Sequence, residues 1–157
     1  GNQPLEKKED AKALLFSDEI SEIDRFNDDI PDEIVSNVLD ECSTHLKKLQ
    51  QLLADYPQEN DKIKKLHQHY LPLLMDILEQ YCKISQVSGE SEEAKEKLTK
   101  TIDLVNTAIQ NITFSLSEKD ELDMNVNMNV LEDLLKKDGL IDDRLTSSME
   151  ELYKKIK

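Results

Sequence analysis

The sequence predicts an all-α fold, an elongated antiparallel bundle of about five to six helices. Apolar residues recur at alternating steps of three and four along most of the 157-residue chain, the period of one face of an α-helix. Only three Gly and four Pro interrupt these stretches, and 34% of the residues are charged, as in long solvated helices. We therefore expect a disordered polar tail at residues 1–10, followed by one helical domain over residues 11–157.

The first two predicted helices are separated by Pro31. The first helix begins at Ala11 and should end before Asn27, since the residue preceding a proline avoids the helical conformation. Pro31 suits the first turn of the second helix, where Asp32 and Glu33 lie at its positive end. The apolar heptad positions of that helix are Val35, Val38, Cys42, Leu49, Leu52 and Tyr56.

The central helix, Asp61 to Ile84, has the clearest pattern in the chain, and Asn60 is its expected cap. Pro72 lies in its middle, where a proline costs about 3 kcal/mol in an unsupported helix. The pattern predicts a kink held by packing, or two shorter helices that meet at Leu71. The predicted core face is Ile63, Leu66, Tyr70, Leu73, Leu74, Ile77, Leu78, Tyr81 and Ile84.

Four further elements are predicted after Gly89, three helices and one loop. A helix from Ser91 to Leu116 follows, capped by Ser91. Residues Ser117 to Asn129 alternate apolar and polar, which predicts an extended loop docked on the bundle. Asn129 would cap a helix from Val130 to Asp138, which Gly139 would end. The apolar positions of a last amphipathic helix are Ile141, Leu145, Met149, Leu152 and Ile156.

Charge and composition exclude several function classes. The net charge of −14 argues against nucleic-acid binding, which needs a basic surface, and against lying flat on an anionic membrane. The sequence contains no run of 18 apolar residues that could span a bilayer. Cys42 and Cys82 are expected to be buried free thiols in a reducing cytosol, with a disulfide as the alternative.

No motif for a catalytic or metal site emerges from the residues, and we expect neither a catalytic residue nor a metal or other cofactor. His67 and His69 lie two positions apart, so on a helix they point about 200° from each other and cannot share a metal. The series from Asp123 to Asn129 resembles a calcium loop, but Met128 replaces its glycine and Leu134 its bidentate glutamate. A glycine-rich phosphate loop and a nucleophile elbow are absent from the sequence.

Three stretches nevertheless resemble a known family. Lys64–Pro72, KKLHQHYLP, is similar to the Arg-Arg-Phe-x-x-Tyr-Tyr-Leu-Pro signature of XpaC-type proteins, named for 5-bromo-4-chloroindolyl phosphate hydrolysis. Val130–Leu140, VLEDLLKKDGL, resembles their terminal Val-Leu-Glu-x-Met-Leu-x-x-Asp-Gly-Leu, and Asp120–Met124 their acidic segment. The similarity covers residues 61–140, with Leu66 in place of the usual Phe and His69 in place of Tyr.

The resemblance implies a bacterial protein held at the cytoplasmic face of the membrane by an N-terminal segment absent from this soluble chain. It also implies a protein partner, such as a toxic-anion-resistance (TelA-type) protein. We therefore expect a non-enzymatic helical interaction module. Its expected contact surface comprises Tyr70, Leu71, Pro72, Asp120, Leu122, Asp123 and Met124.

Two alternatives remain open from the sequence. The first is a phosphoesterase, or an accessory factor in hydrolysis of 5-bromo-4-chloroindolyl phosphate, in which Asp120, Asp123 and Asp138 converge on a metal. The second is a self-associating coiled coil.

Overall fold

The computed structural model describes residues 15–55, 60–142 and Lys154. Its helices are α1 (Ser17–Asp29), α2 (Glu33–Asp55), α3 (Asp61–Lys65), α4 (Leu71–Ser88) and α5 (Glu92–Lys137). A π-helical turn, Leu66–Tyr70, joins α3 to α4, so these three form one continuous helical stretch. The described part of the chain thus contains four continuous helices and no strand, which confirms the all-α class.

The residues divide into two compact units, Gly1–Phe114 and Ser115–Lys157. The first unit contains α1 to α4 and the first half of α5, and the second contains the remainder of α5. Since α5 runs through the boundary, the division reflects how the residues contact one another and not a break in the chain. No described helix is both long and apolar enough to cross a membrane.

The expected loop at Ser117–Asn129 is wrong, because these residues lie inside the 46-residue helix α5. Gly and Pro are absent between Ser91 and Asp138, so nothing in the sequence forces the helix to stop. A segment in which apolar and polar residues alternate can form a β-strand only beside a partner strand, and the residues that the structure describes form no strand. Asn129 is consequently an interior residue of α5 and not a cap.

The count of about five to six helices also changes as a result. The fourth and fifth predicted helices are one helix, and the antiparallel arrangement stays a prediction. Most of the last predicted helix, whose apolar positions run from Ile141 to Ile156, lies outside the described residues.

Helix caps agree with the sequence at three places and differ at two, of which Asn129 is one. The amide of Lys62 donates to Asn60 Oδ1 over 2.8 Å, and that of Ala94 to Ser91 Oγ over 3.2 Å, so both predicted caps are confirmed. Gly139 ends α5 with a φ of 72°, as predicted. The second difference is at α2, which begins at Glu33: Asp32 caps this helix, because its Oδ1 accepts the amide of Val35 over 3.0 Å, and Pro31 lies before the helix and not in its first turn. This hydrogen bond holds the pKa of Asp32 below its ordinary range.

The core of the first unit is built from apolar side chains of all its helices. Its largest fully buried members are Phe16, Ile23, Val35, Leu39, Leu46, Leu49, Leu66, Leu71, Leu74, Leu78, Ile102 and Ile109. One buried polar residue joins two helices: Asn106 of α5 donates from Nδ2 to the carbonyl oxygen of Val38 in α2 over 3.0 Å. A nearby contact at 3.1 Å joins Gln110 to His45.

Lys95 fixes the start of α5 to the start of α2. Its Nζ lies 2.8 Å from Glu92 Oε1, 3.3 Å from Asp32 Oδ2 and 3.8 Å from Glu90 Oε2. The side chains of Lys95 and Asp32 are only 17% and 18% exposed. The carboxylates of Glu92 and Asp32 raise the pKa of the Lys95 ammonium above its ordinary value.

Candidate functional site

Pro72 is accommodated by the π-helical turn that precedes it. A proline has no amide hydrogen, and its ring crowds the carbonyl four residues earlier. Here the amide of Leu71 donates to the carbonyl oxygen of Leu66, which is five residues back. The turn is therefore wider than an α-helical turn, and α4 begins at Leu71 with Pro72 in its first turn. The sequence predicts either a kink or two shorter helices that meet at Leu71; the structure instead has one continuous helical stretch with a π turn before Leu71.

The π turn moves the core face of the helix by one residue. Leu66 is fully buried, and the next fully buried residue is Leu71, not Tyr70. Beyond the turn the buried positions are Leu71, Leu74, Met75, Leu78 and Tyr81. Tyr70 and Leu73, which the unbroken helical period assigns to the core, are 49% and 60% exposed. The extra residue in the turn thus places two large apolar side chains on the surface.

Those two side chains line an apolar groove in the first unit. The groove encloses about 440 Å³. One wall comes from the π turn and α4, and the other from α5. Leu104 on the α5 wall is 72% exposed. The lining residues are Leu66, Tyr70, Leu73, Leu74, Ile77, Thr101, Leu104, Val105 and Ala108.

Residues in α1 and just before it also contact the π turn. His67 Nδ1 lies 2.9 Å from Glu19 Oε1, and the Glu19 side chain is 13% exposed. The Phe16 ring meets the His67 ring edge-on, with centroids 5.7 Å apart and planes at 74°. These contacts fix the orientation of the turn, and with it the positions of Tyr70 and Leu73.

A second cleft, of about 460 Å³, lies beside His67. Its lining is mixed: Lys64, Asp61 and Gln68 are polar, while Ile63 and Leu15 are apolar. The described residues contain no group of three or more His, Cys, Asp or Glu side chains placed to hold a metal ion. His67 and Glu19 form a contact between the π turn and α1 at one side of this cleft.

The residues expected to form the contact surface divide into two sets. Tyr70 and Pro72 are exposed near the groove, but Leu71 is fully buried and cannot touch a partner. Asp120, Leu122, Asp123 and Met124 are all exposed, on a helix and not on a loop.

Tyr81, which the sequence places in the core, is buried there, and its burial raises the pKa of its hydroxyl group.

The proposed convergence of three carboxylates on a metal does not occur. Asp120 and Asp123 are one turn apart on α5, whereas Asp138 follows the end of the same helix. Fifteen residues of helix separate Asp123 from Asp138, a rise of about 22 Å. Three such carboxylates cannot bind one ion, whose oxygen ligands lie within about 2.6 Å.

Both cysteines are free thiols, and neither stands in a setting that activates it. Cys42 is buried, and this burial raises the pKa of its thiol to about 12. Cys82 is half-buried, and burial raises its pKa as well, with a further contribution from Asp29. A nucleophilic cysteine needs the opposite shift. The predicted thiols are therefore confirmed, although Cys82 is less buried than expected.

Sequence reasoning missed Leu73 as a surface residue, because Leu73 falls on the predicted core face of the central helix. Leu104 lies outside the core face of its own helix, but nothing in the sequence indicates its place in the lining of a groove. The one available signal was Pro72, because a proline inside a helix implies a local change of register.

Comparison with protein-family models, with curated proteins and with solved structures gives no match to this chain.

Proposed function

We propose that this chain is a non-enzymatic helical interaction module that receives an amphipathic helix of a partner protein. The observation that carries the proposal is the apolar groove, whose rim residues Tyr70, Leu73 and Leu104 are half to three-quarters exposed. Exposed large apolar side chains grouped around one groove mark a binding surface more often than isolated ones do. A groove between two helices fits the apolar face of a third helix.

The charge of the chain narrows the chemistry of that partner. With a net charge of −14, the protein attracts a partner whose apolar stripe is flanked by Lys or Arg. The resemblance of Lys64–Pro72 to the XpaC signature supports a bacterial setting at the cytoplasmic membrane face. It also supports a TelA-type protein as the natural partner. Both of these points are proposals that depend on the quoted residues.

Binding of a designed helix tests the groove directly. We would titrate the protein into a fluorescent 18-residue helical peptide of Leu and Lys and follow its anisotropy. Leu73→Asp should weaken binding at least tenfold, because it puts a charge in the apolar groove. Val87→Asp is the matched control, since Val87 is 87% exposed outside the groove and the added charge is the same. Equal affinity of the two variants would show that the peptide binds by charge alone and would reject the groove.

The same two variants test the natural partner. A purified TelA-type protein should bind the parent chain and the Val87→Asp variant in calorimetry, and bind the Leu73→Asp variant at least tenfold more weakly. If the TelA-type protein did not bind the parent chain, this partner would be rejected. The peptide experiment would then remain the test of whether the groove binds a helix.

An assay of 5-bromo-4-chloroindolyl phosphate hydrolysis tests the enzymatic alternative. The purified protein is assayed with and without Mg²⁺, Mn²⁺ and Zn²⁺, beside an Asp120→Asn/Asp123→Asn double variant. We expect no turnover, because these carboxylates do not converge with Asp138. Turnover that follows the protein through purification and is lost in the double variant would overturn the non-enzymatic proposal.

A further inference from the structure

The part of α5 that lies in the second unit carries many exposed apolar side chains. Every residue from 117 to 131 is exposed, which is about four turns of helix. Large apolar side chains grouped on one surface mark an interaction site more often than isolated ones do. The exposed apolar residues of this part of α5 are Leu122, Met124, Val126, Met128, Val130, Leu131 and Leu134.

The composition of this stretch is poor for a helix that stands alone. Asn125, Asn127 and Asn129 are weak helix formers, and so are Val126 and Val130. Helices in proteins gain most of their stability from packing of one face and not from the propensity of their residues. The stretch is nevertheless helical throughout. We therefore expect another helix to pack against it.

Four of the apolar residues form a straight seam. Met124, Met128 and Leu131 are 49%, 56% and 58% exposed, and Leu135 is half-buried. Their spacing of four, three and four is that of a coiled-coil seam, and it keeps the four side chains within about 60° around the helix. This spacing reads the same in both directions along the chain. A seam of this kind can therefore pair with an identical seam that runs the opposite way.

We propose that this seam is the contact between two copies of the chain, which pack antiparallel about a twofold axis. Pairing Met124 with Leu135 of the second copy brings Met128 opposite Leu131 of that copy. The twofold symmetry repeats both pairs, so all four residues of each seam are used. The contact is about 16 Å long, and its centre lies between residues 129 and 130.

Charge favours the antiparallel orientation over the parallel one. Asp120, Glu121 and Asp123 lie before the seam, and Lys136 and Lys137 lie at its end. In the proposed register Lys137 is within about 3 Å, along the helix axis, of Asp120 and Asp123 of the second copy, on the same side of the seam. Lys136 is equally close in level to Glu121 on the other side. A parallel pair would instead bring the acidic ends of both copies together, which is repulsive.

The contact is small, so the dimer is expected to be weak. Asp138 lies level with Glu121 of the second copy and opposes the favourable charge pairs. The net charge of −14 also repels two copies at long range, but about 0.15 M salt screens this repulsion beyond about 8 Å. Small interfaces belong to transient complexes. We therefore expect monomer and dimer to be in exchange at micromolar concentrations.

Analytical ultracentrifugation of the full chain tests the seam. The parent protein should pass from monomer to dimer across the micromolar range, and Leu131→Asp should raise the dissociation constant at least tenfold. Val126→Asp is the matched control and should leave the constant unchanged. Leu131 and Val126 are both 58% exposed, and both variants gain the same charge. Residue 126 points to the side of the helix opposite the seam.

The other outcomes of this experiment overturn the proposal. A parent protein that is monomeric at every concentration would show that a second copy does not cover the seam. An equal effect of Leu131→Asp and Val126→Asp would show that the contact does not depend on this face. Leu73→Asp, in the groove of the first unit, should leave the dimer intact. Loss of the dimer in that variant alone would place the contact at the groove and reject the seam, whereas failure of the seam leaves the groove proposal untouched.

Cysteine cross-linking tests the register. In a Cys42→Ala/Cys82→Ser background, chains with Met124→Cys are mixed with chains that carry Leu135→Cys and treated with a short bis-maleimide reagent. The mixture should give a cross-linked dimer that contains one chain of each kind. Absence of this product at concentrations where the dimer forms would reject the register.

Two controls accompany the cross-linking. Met124→Cys chains alone should not be linked to each other, because the antiparallel register places the two residues about 16 Å apart along the axis. A mixture of Val126→Cys and Asp133→Cys chains should not be linked either, since these residues are level with each other but lie on the outer sides of the two helices. Linking of Met124→Cys chains to themselves would show a parallel pair. Equal linking in the control mixture would show random collision, and both results would reject the antiparallel dimer.

Discussion

The amide of Leu71 donates its hydrogen bond to the carbonyl oxygen of Leu66, five residues earlier. This one bond decides which residues of the central helix face the core. Both leucines are fully buried, while Tyr70 between them is half exposed. The groove of the first unit is a direct consequence, because the same shift places Leu73 at its rim.

The shifted register predicts that the two leucines on either side of Pro72 contribute different amounts to the free energy of unfolding. Leu71→Ala removes a fully buried side chain and should lower the free energy of unfolding by about 2–5 kcal/mol. Leu73→Ala removes a side chain that is 60% exposed and should change that free energy by at most about 0.5 kcal/mol. Urea unfolding followed by circular dichroism at 222 nm measures both. An equal loss in the two variants would mean that the helix runs through Pro72 without the π turn.

The continuity of α5 predicts that residue 127 does not tolerate proline. Asn127→Pro breaks the helix interior and should cost that helix about 3 kcal/mol. The expected readout is a loss of helical circular dichroism and faster proteolysis within residues 117–135. Asn127→Ala is the control and should preserve or slightly raise the helical signal, because Ala is the better helix former. If the proline variant kept the parent signal, the segment would be the extended loop that its alternation suggests.

The ion-pair network at Lys95 predicts a pH-dependent contribution to stability. Lys95→Ala should lower the Tm at pH 7, because it leaves the carboxylates of Asp32 and Glu92 without their cation. Lys97→Ala is the matched control, since its pair with Glu93 is about 80% exposed and worth little.

The direction of the pH effect follows from the two pKa shifts. Folding lowers the pKa of Asp32, so the ionised carboxylate stabilises the fold at pH values above 3.8, its ordinary pKa. This contribution is lost as the pH falls through the lowered pKa. Folding raises the pKa of Lys95, so its ammonium group contributes its full stabilisation at pH values below 10.5, its ordinary pKa. This stabilisation is lost as the pH rises through the raised pKa. The Tm difference between the parent and Lys95→Ala should therefore shrink below pH 4. A difference that stayed constant down to pH 2 would contradict the pairing with Asp32.

The two thiols should react in a fixed order with a disulfide reagent such as DTNB. At a pKa of about 12, about one Cys42 thiol in ten thousand is ionised at pH 8, and the side chain is also buried. We expect Cys82 to react at least tenfold faster, and both thiols to react once the protein is unfolded in urea. Cys82→Ser should remove the faster phase alone. A faster phase that survived this substitution would show that Cys42 is accessible.

The helical class, the two side-chain caps Asn60 and Ser91, and the stop at Gly139 can all be predicted from the amino-acid sequence. These features depend on residues within one or two turns of each other, and their physical causes are local: a side-chain oxygen near free amides, or a residue without Cβ. Of the predicted heptad positions of α2, Val35, Val38, Cys42 and Leu49 are buried for the same reason, because a regular helix keeps its period, whereas Leu52 is half-buried. The uninterrupted α5 could also have been inferred, since neither Gly nor Pro occurs between Ser91 and Asp138.

The way in which the helix passes Pro72 depends instead on packing between distant parts of the chain. A kink and a π turn both relieve the proline, and the choice between them depends on what the flanking side chains can pack against. Leu66 and Leu71 are both buried only if the turn holds an extra residue, and Phe16 and Glu19 of the N-terminal region hold that turn through His67. The exposed positions of Tyr70 and Leu73 follow from contacts about fifty residues apart in sequence, which a local period cannot encode.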